Sequence, residues 1–573
     1  MPVGKQWIIK SPDNDKVDAL QSALGINRTL CKLLINREID TFEVAKDFFR
    51  PHKGLLHDPY LMKGMQDAVF RISEARNAQE SIFVFGDYDV DGTTSVAIVY
   101  DFLAQNRLVD TAETTLHFYI PHRYKEGYGL SFEGIDEAIK LGCTLMITLD
   151  CGIKSIEKVA YANAQGLDVI ICDHHNPGDE LPQAIAILNP KQEDCQYPFK
   201  ELSACGIGYK LIAALAQAWD LDDQQADKYL DLVATSIAAD IVPLNGENRV
   251  LAYLGLEKAN NDPCLSLATL KEMTKMEKAF SISDLVFTIS PRINAAGRMD
   301  EAKKAVELFV AQTKERAVEI AALLQSDNTD RKEIDKQTTE EALSILAEET
   351  WYRTSKSTVL FRPHWHKGVV GIVASRIIDH YHRPTIILTA SNGKATGSAR
   401  SVVGFNIHDA IQSCADLLDT FGGHFFAAGM TMPLENVPLF IARFEEEVSN
   451  TIQEASILPR IEIDAALDFD DITPSFIRIL KQFEPFGPNN MRPVFLTEGV
   501  HNIQSTIVKE QHIRFVVGHK GITLSGIGFG MAAKFPIIEQ GFPFDVVYTL
   551  EENEWKGNTT IQLRVIDIRP HVA

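Results

Sequence analysis

What the chain lacks narrows it first. Its eight cysteines stand at 31, 143, 151, 172, 195, 205, 264 and 414, and no two form a C-x-x-C pair. Zinc and disulfide frameworks use closely spaced cysteines, so both are disfavoured and a reducing cytoplasm is the expected compartment. No apolar run reaches the ~20 residues needed to span a bilayer, and no signal-peptide pattern is present. An excess of positive charge is missing too. With 56 Lys and Arg against 78 Asp and Glu the net charge is −22, the reverse of an ordinary nucleic-acid binder. Any nucleic acid would have to be held by a local basic surface. Residues 301–350 contain neither Gly nor Pro, so nothing in them breaks a helix.

What is present is ordinary in bulk: 45% hydrophobic and 23% charged over 573 residues. That length exceeds a single core, so several domains are expected. Residues 1–55 read as a helical leader without chemistry, a packing appendage. From 56 to 300 strands and helices alternate, which implies a parallel sheet covered on both faces. The strand-like runs are Ser81–Phe85, Thr115–Ile120, Leu145–Leu149, Asp168–Cys172 and Ala184–Leu188.

The organising stretch is I-F-V-F-G-D-Y-D-V-D-G at 82–92. It reads as strand, acidic loop, helix. Asp87, Asp89 and Asp91 repel one another unless a cation neutralises them, and hard Mg²⁺ or Mn²⁺ suits oxygen ligands. A solvated acidic turn is the alternative. Further on, Asp150-Cys151-Gly152 and Asp173-His174-His175 end successive strands, and Asp240 ends a helix-like segment. In an open α/β sheet one crevice collects such residues. Asp87, Asp89, Asp150, His174, His175 and Asp240 thus form a set that about two divalent ions would need. Each residue also has a plainer reading: Asp150 or Asp173 as a helix N-cap, the His pair as surface or core filling.

Residues 301–356 read as a helical linker holding two domains apart. A continuous helix over 301–350 would reach about 75 Å, with Q-S-D-N-T-D (325–330) as a possible interruption; a coiled-coil dimer is the alternative. From 357 to 455 the α/β pattern returns. Between Thr358 and His408 there are six Lys and Arg (362, 367, 376, 383, 394, 400) against Asp379 alone, 6 − 1 = +5, the basic surface hidden by the net charge. Residues 456–573 form about five short alternating runs, as in an OB-like barrel that binds single strands. Phe495, His512, Arg514 and Phe515 are its candidate stacking or phosphate groups. A barrel that binds no DNA is the rival.

Several blocks together resemble the DHH phosphoesterase superfamily: D-Y-D-V-D-G (87–92), L-D-C-G (149–152) and D-H-H (173–175). Arg123 with E-G-Y-G-L (126–130), A-A-D-I-V-P-L (238–244) and S-P-R-I-N-A-A-G-R-M (290–299) are similar to its single-strand-specific 5′→3′ DNA exonuclease branch. The resemblance implies that Asp87, Asp89, Asp150, His174 and Asp240 bind Mn²⁺ or Mg²⁺. It implies catalytic roles for Asp89, Asp150 and His175, the last at the scissile phosphate or in support of the metal. Asp91 is a lesser candidate ligand. Some members carry His where this chain has Phe85, so one ligand is potentially missing. The second α/β unit resembles the DHH-associated domain. By that resemblance Ser398 and Arg400, with Arg123, hold a terminal 5′-phosphate, and Gly422, Gly423 and His424 receive the next nucleotide. Tyr128, Arg292, Asn294 and Arg298 join the substrate-binding set; a structural Arg or a plain G-G-H turn is the alternative. F-E-P-F-G-P-N-N (483–490) matches the family's junction block or is a rigid hinge.

The expectation is therefore a metal-dependent exonuclease that degrades single-stranded DNA 5′→3′ to 5′-mononucleotides, in DNA repair and recombination. Single-strand-binding protein and a helicase are the partners the resemblance implies, for a cytoplasmic monomer. The rivals are a phosphodiesterase for short oligonucleotides or cyclic dinucleotides, and an inactive DNA-binding scaffold.

Overall fold

The computed structural model describes residues 5–106, 115–299, 301–555 and 558–572. Asp300, which closes the first α/β unit in the sequence reading, lies outside them. The first sheet has five parallel strands in the order Leu116–Tyr119, Ile82–Gly86, Leu145–Leu149, Asp168–Cys172, Ala186–Leu188. The chain starts at Ile82–Gly86, adds its next strand on one side, then returns to the other. A topological switch point therefore lies between Ile82–Gly86 and Leu145–Leu149, where open α/β sheets collect ligands. Register sharpens this. Gly86 is opposite Leu149, and Leu149 is opposite Cys172. Asp87, Asp150 and Asp173 thus leave the sheet at one level. Helices cover both faces, with Val96, Val99 and Phe102 packing on one and Ile135, Ala138 and Val159 on the other.

Ser290–Met299 is an α-helix, although its sequence reads poorly as one. Pro291 has no N–H to donate, and the preceding turn, Leu285–Ile289, is of the wider π type. Small buried residues then let the helix approach the acidic loop. A Cβ at Gly297 would lie 3.0 Å from Tyr88 O.

Lys314–Glu348 is one helix of 35 residues, about 52 Å long. It runs through 325–330 without interruption. The break falls earlier, where the separate helix Lys303–Phe309 ends and Thr313 caps the long one. The polar residues are only partly satisfied: Arg331 donates to Asn328 and Arg376 to Asp335, each at 2.7 Å, while Asn328 Nδ2 and Asp335 Oδ1 stay buried without a partner. Nor does this helix hold the halves apart. Ala317, Ile320 and Leu324 belong to the first core, whereas Ala342 and Leu346 pack with Trp365, Val370 and Val373 of the second half.

The second sheet runs Thr420–His424, Ala427–Pro433, Lys394–Arg400, Thr385–Ser391, Thr358–Phe361. At the C-terminal end, Phe495–Asn502 pairs with both Phe544–Trp555 and His512–His519, closing a five-stranded barrel with Asn558–Pro570 and Ile522–Gly528. Phe495 and Phe515 are fully buried in its core, so neither stacks on a base. Strand alternation puts them inside and leaves Arg514 exposed and His512 half-buried.

The N-terminal leader is sewn to this barrel. Val17, Leu20, Leu30 and Leu34 share its core, and Gln6–Ile9 pairs in parallel with Arg460–Ile463. Buried Arg249, on helix Gly246–Asn261, pins the joint. Its guanidinium donates to the carbonyls of Phe48, Gln482, Phe483, Glu484 and Pro485 at 2.9–3.4 Å. Residues 482–485 are thereby fixed rather than free to hinge. Arg249→Met would leave these carbonyls short of a donor, at a cost of roughly 3–5 kcal/mol. A lowered midpoint of thermal unfolding is expected; an unchanged midpoint would contradict the role.

Candidate active site

The acidic loop must turn at once from strand to helix, and two glycines allow it. A Cβ at Gly86 would lie 2.3 Å from Val96 Cγ2, and one at Gly92 would lie 2.4 Å from Asp87 O. Asp89 caps the new helix, accepting from Gly92 N at 3.0 Å. Asp91 sits between the site and the core, its Oδ2 3.8 Å from His174 Nε2. It accepts from Ala204 N and Cys205 N at 2.8 Å and from Ser236 Oγ at 2.7 Å. Its oxygens are already taken by donors that join three helices. Both Asp87 oxygens, by contrast, are buried without a well-formed hydrogen bond; the backbone N–H groups of Tyr88 and Gly129 only approach them.

Asp150 takes the left-handed conformation (φ 62°) while its N–H donates to Cys172 O at 2.9 Å. Carboxylate oxygens of Asp87, Asp89 and Asp150 lie within 4.8 Å of one another. His174 Nε2 is 3.3 Å from Asp150, 3.6 Å from Asp240 and 3.8 Å from Asp91. Asp150 also groups with His174 and His175, and His174 groups in turn with Asp91 and Asp240, so Asp150 and His174 link the Asp87–Asp89 side to the Asp240 side.

Burial raises the carboxyl pKa of Asp87, Asp150 and Asp240 well above the ordinary value, and neighbouring carboxylates raise it further. Asp89 is raised for the same two reasons. Burial also lowers His174 and keeps it neutral, the form that ligates metal. The donor set fits hard divalent cations, which would supply the charge and the partners that Asp87 lacks. Phe85 is buried on the opposite face, stacked on Tyr119 at 5.7 Å, under the helix that contains Gly134.

His175 is oriented by a residue read from sequence only as a possible N-cap. Asp173 Oδ1 is 2.7 Å from His175 Nδ1, and the same side chain accepts from Ile153 N and His175 N at 3.0 Å. Burial would raise Asp173, but these bonds and the His175 charge outweigh it and hold its pKa low; Asp173 in turn raises His175 against burial. Tyr128 OH lies 2.9 Å from His175 Nε2 and donates to Asp150 O at 3.3 Å. The first letter of D-H-H was the available signal for Asp173.

The second half closes over this face. Arg298 donates to Gly368 O at 3.0 Å, Tyr124 OH donates to Arg298 O at 2.6 Å, and Lys367 lies over the Tyr124 ring at 4.0 Å. Arg123 covers the Tyr88 ring at 4.6 Å, and Arg400 donates to Ser398 Oγ at 2.8 Å. Burial pushes Arg298 down to about 10, with Arg123, Arg331 and Arg400 adding repulsion. Arg400 is lowered by burial and by Arg123. Among the described residues no carboxylate forms an ion pair with Arg123, Arg298 or Arg400; Asp87 acts on Arg123 and Asp335 on Arg298 only at longer range. A phosphate is the complementary ligand.

The basic surface expected from 358–408 is much smaller than its charge count. Arg383 is buried against Thr358 and the carbonyls of Tyr352 and Ser355. Arg376 pairs with Asp335, Lys394 with Asp419 and Arg362 with Glu341. Lys367 and Arg400 remain. Arg292 is not in the cluster; it donates to Gln325 Oε1 at 2.8 Å and to Thr288 O. Asn294 lines a small cavity with Ser290, Arg298, Arg331 and Ile372. Arg331, from the connecting helix, was invisible to motif reading. Gly423 (φ 155°) is required by the hairpin, since a Cβ there would lie 2.3 Å from Ala427 O; Gly422 faces open space. His424 is exposed, and its pKa is lowered by burial and then by the His175 charge.

Three stretches match family profiles: "DHH family, N-terminal domain" at 81–237, "DHHA1 domain" at 354–450 and "RecJ OB domain" at 463–567. The chain is 36% identical over 567 residues to the single-stranded-DNA-specific exonuclease RecJ of Bacillus subtilis, covering 98% of this chain and 70% of that protein. It is 33% identical over 552 residues to the Escherichia coli protein of the same name, covering 92% and 93%. The crystal structure of RecJ in complex with Mn²⁺ from Thermus thermophilus matches with a TM-score of 0.84 at 27% identity, over 99% of this chain and 80% of that one.

The four raised carboxyl groups make a signed prediction. They hold protons more tightly folded than unfolded, so the metal-free fold loses stability as pH rises from about 4 toward their folded values. In EDTA the thermal midpoint should fall between mildly acidic and neutral pH. Mn²⁺ at neutral pH should restore it. Asp87→Asn should stabilise the metal-free protein and gain less from Mn²⁺; a variant no more stable than wild type in EDTA would contradict the reading of Asp87.

Proposed function

The chain belongs to the RecJ family of DHH exonucleases, and from that premise we propose how it works. It is a hydrolase specific for single-stranded DNA, with Mn²⁺ or Mg²⁺ as cofactor. We assign one cation to Asp87, Asp89 and Asp150 and a second to Asp150, His174 and Asp240. Held by these residues, the cations would supply a lowered pKa for bound water and charge to offset that on the phosphoryl oxygens. The single observation that carries this is Asp87, a carboxylate buried at the switch point of the sheet without a well-formed hydrogen bond.

The protein's own groups do the rest. Asp173 holds the proton on His175 Nδ1 and aims Nε2 at the cleft, where it donates to a non-bridging oxygen of the scissile phosphate in place of the Tyr128 hydroxyl. Asp91 locks the acidic loop onto the helix Ala204–Ala218 and stands within ligand reach of the cation held by His174 and Asp240. Arg123, Arg298, Arg400 and Ser398 grip a terminal 5′-phosphate, and the open backbone at Gly422 admits the adjoining nucleotide. Gripping the 5′ end one nucleotide from the metals fixes 5′→3′ polarity and mononucleotide release. Asn294, which lines one cavity with Arg298, acts beside it, and Arg292 is held off the grip by Gln325 and Thr288.

A single-strand-binding protein and a strand-supplying helicase fit this reading as partners in repair and recombination, as do a monomeric state and a cytoplasmic location. No helix of the described residues is long and apolar enough to cross a membrane.

Strands labelled at either end test the polarity: the 3′ label should persist until last. Release from the 3′ end first would contradict it. Arg400→Ala should raise KM for 5′-phosphorylated strands about 10–100-fold, the weight of one or two charge-assisted contacts. It should leave 5′-hydroxyl strands nearly unaffected. Equal loss on both would place Arg400 elsewhere.

A further inference from the structure

We propose that Phe425 and Phe426 form a stacking platform for a nucleobase of the strand lying in the cleft. This rests on the single-strand reading above and extends it from the phosphates to the bases. The two residues are the tip of the hairpin between Thr420–His424 and Ala427–Pro433, where His424 faces Ala427. Such two-residue tips ordinarily carry Gly, Asn or Asp. Here they carry two phenylalanines, 41% and 54% exposed. Their ring centroids are 4.8 Å apart at 63°. The rings support each other, and neither belongs to a buried core.

Their backbone, unlike their side chains, is firmly placed. Ser401 N donates to Phe426 O at 2.9 Å, and Ile407 N donates to Phe425 O at 3.1 Å. Ala427, next to the tip, is in register with Arg400. His424, on its other side, feels the charge of His175. The tip therefore stands beside both the arginine that faces the phosphate and the histidine of the metal side. Tyr128, 52% exposed and bonded to His175, puts another open ring at the same mouth. A nucleotide whose phosphates span these groups carries its base toward the tip. Stacking suits this enzyme, because every base has a π-face and an exonuclease must accept each in turn.

The test compares two substrates. One is a 5′-phosphorylated single strand; the other has its leading nucleotides made abasic. On the intact strand, Phe425→Ala with Phe426→Ala should lower kcat/KM about tenfold through KM, and tyrosine at both positions should restore it. On the abasic strand, wild type and the alanine variant should differ by less than about twofold, because there is no base to stack. Unchanged activity on the intact strand would overturn the platform, and so would an equal loss on both strands. A second readout needs no turnover. In EDTA, 2-aminopurine placed among the leading nucleotides should be quenched by wild type and not by the alanine variant; equal quenching by both would overturn the proposal. A wild type inert on the intact strand would instead fail the exonuclease reading, which the quenching experiment leaves separately measurable.

Discussion

The structure depends on the mutual repulsion of carboxylates that the first sheet forces together. Parallel register brings Gly86, Leu149 and Cys172 level, so the residue after each emerges at the same height. Two of these are Asp87 and Asp150, and the third, Asp173, is neutralised by His175. Asp89 and Asp240 add further negative charge. Asp91 adds to it as well, although the helix that begins at Val90 carries it to the N-terminus of a neighbouring helix, where backbone N–H groups and a serine donate to it. What remains is a buried anionic cluster that the protein does not neutralise. A cation held by these residues would neutralise it and would supply phosphoryl chemistry there.

The opposite imbalance faces it. Arg123, Arg298 and Arg400 come from three separate parts of the chain and repel one another. The connecting helix makes this possible by packing on both halves rather than spacing them. Positive and negative deficits thus stand side by side, and a phosphodiester with its cations relieves both. This also resolves the net charge of −22. Of the six cations in 358–408, Arg362, Arg376, Arg383 and Lys394 are spent on local carboxylates and carbonyls, and Lys367 and Arg400 are left at the cleft.

The sequence made the strand–loop–helix and the D-H-H block legible, because apolar runs of fixed length bracket each polar residue. It left the direction of each side chain open. Asp87, Asp89 and Asp91 alternate identically on paper, yet one is unpartnered, one caps a helix and one is a core bond. Phe495 and Phe515 looked like stacking groups, but alternation alone does not say which strand face is inward. The charge count over 358–408 missed Asp335, Glu341 and Asp419, whose pairing is set by the tertiary fold. Asp173 and Arg331 escaped because their roles depend on residues they meet only in the folded protein. In each case short-range pattern was readable and long-range pairing was not.

The most direct test of the account is anomalous diffraction at the manganese edge from crystals grown with Mn²⁺. Two peaks are predicted, one among Asp87, Asp89 and Asp150 and one among Asp150, His174 and Asp240, with both Asp87 oxygens turned toward metal. A protein that binds Mn²⁺ elsewhere, or one in which the Asp87 oxygens find donors from the chain itself, would contradict the claim that this cluster exists to be neutralised by cations.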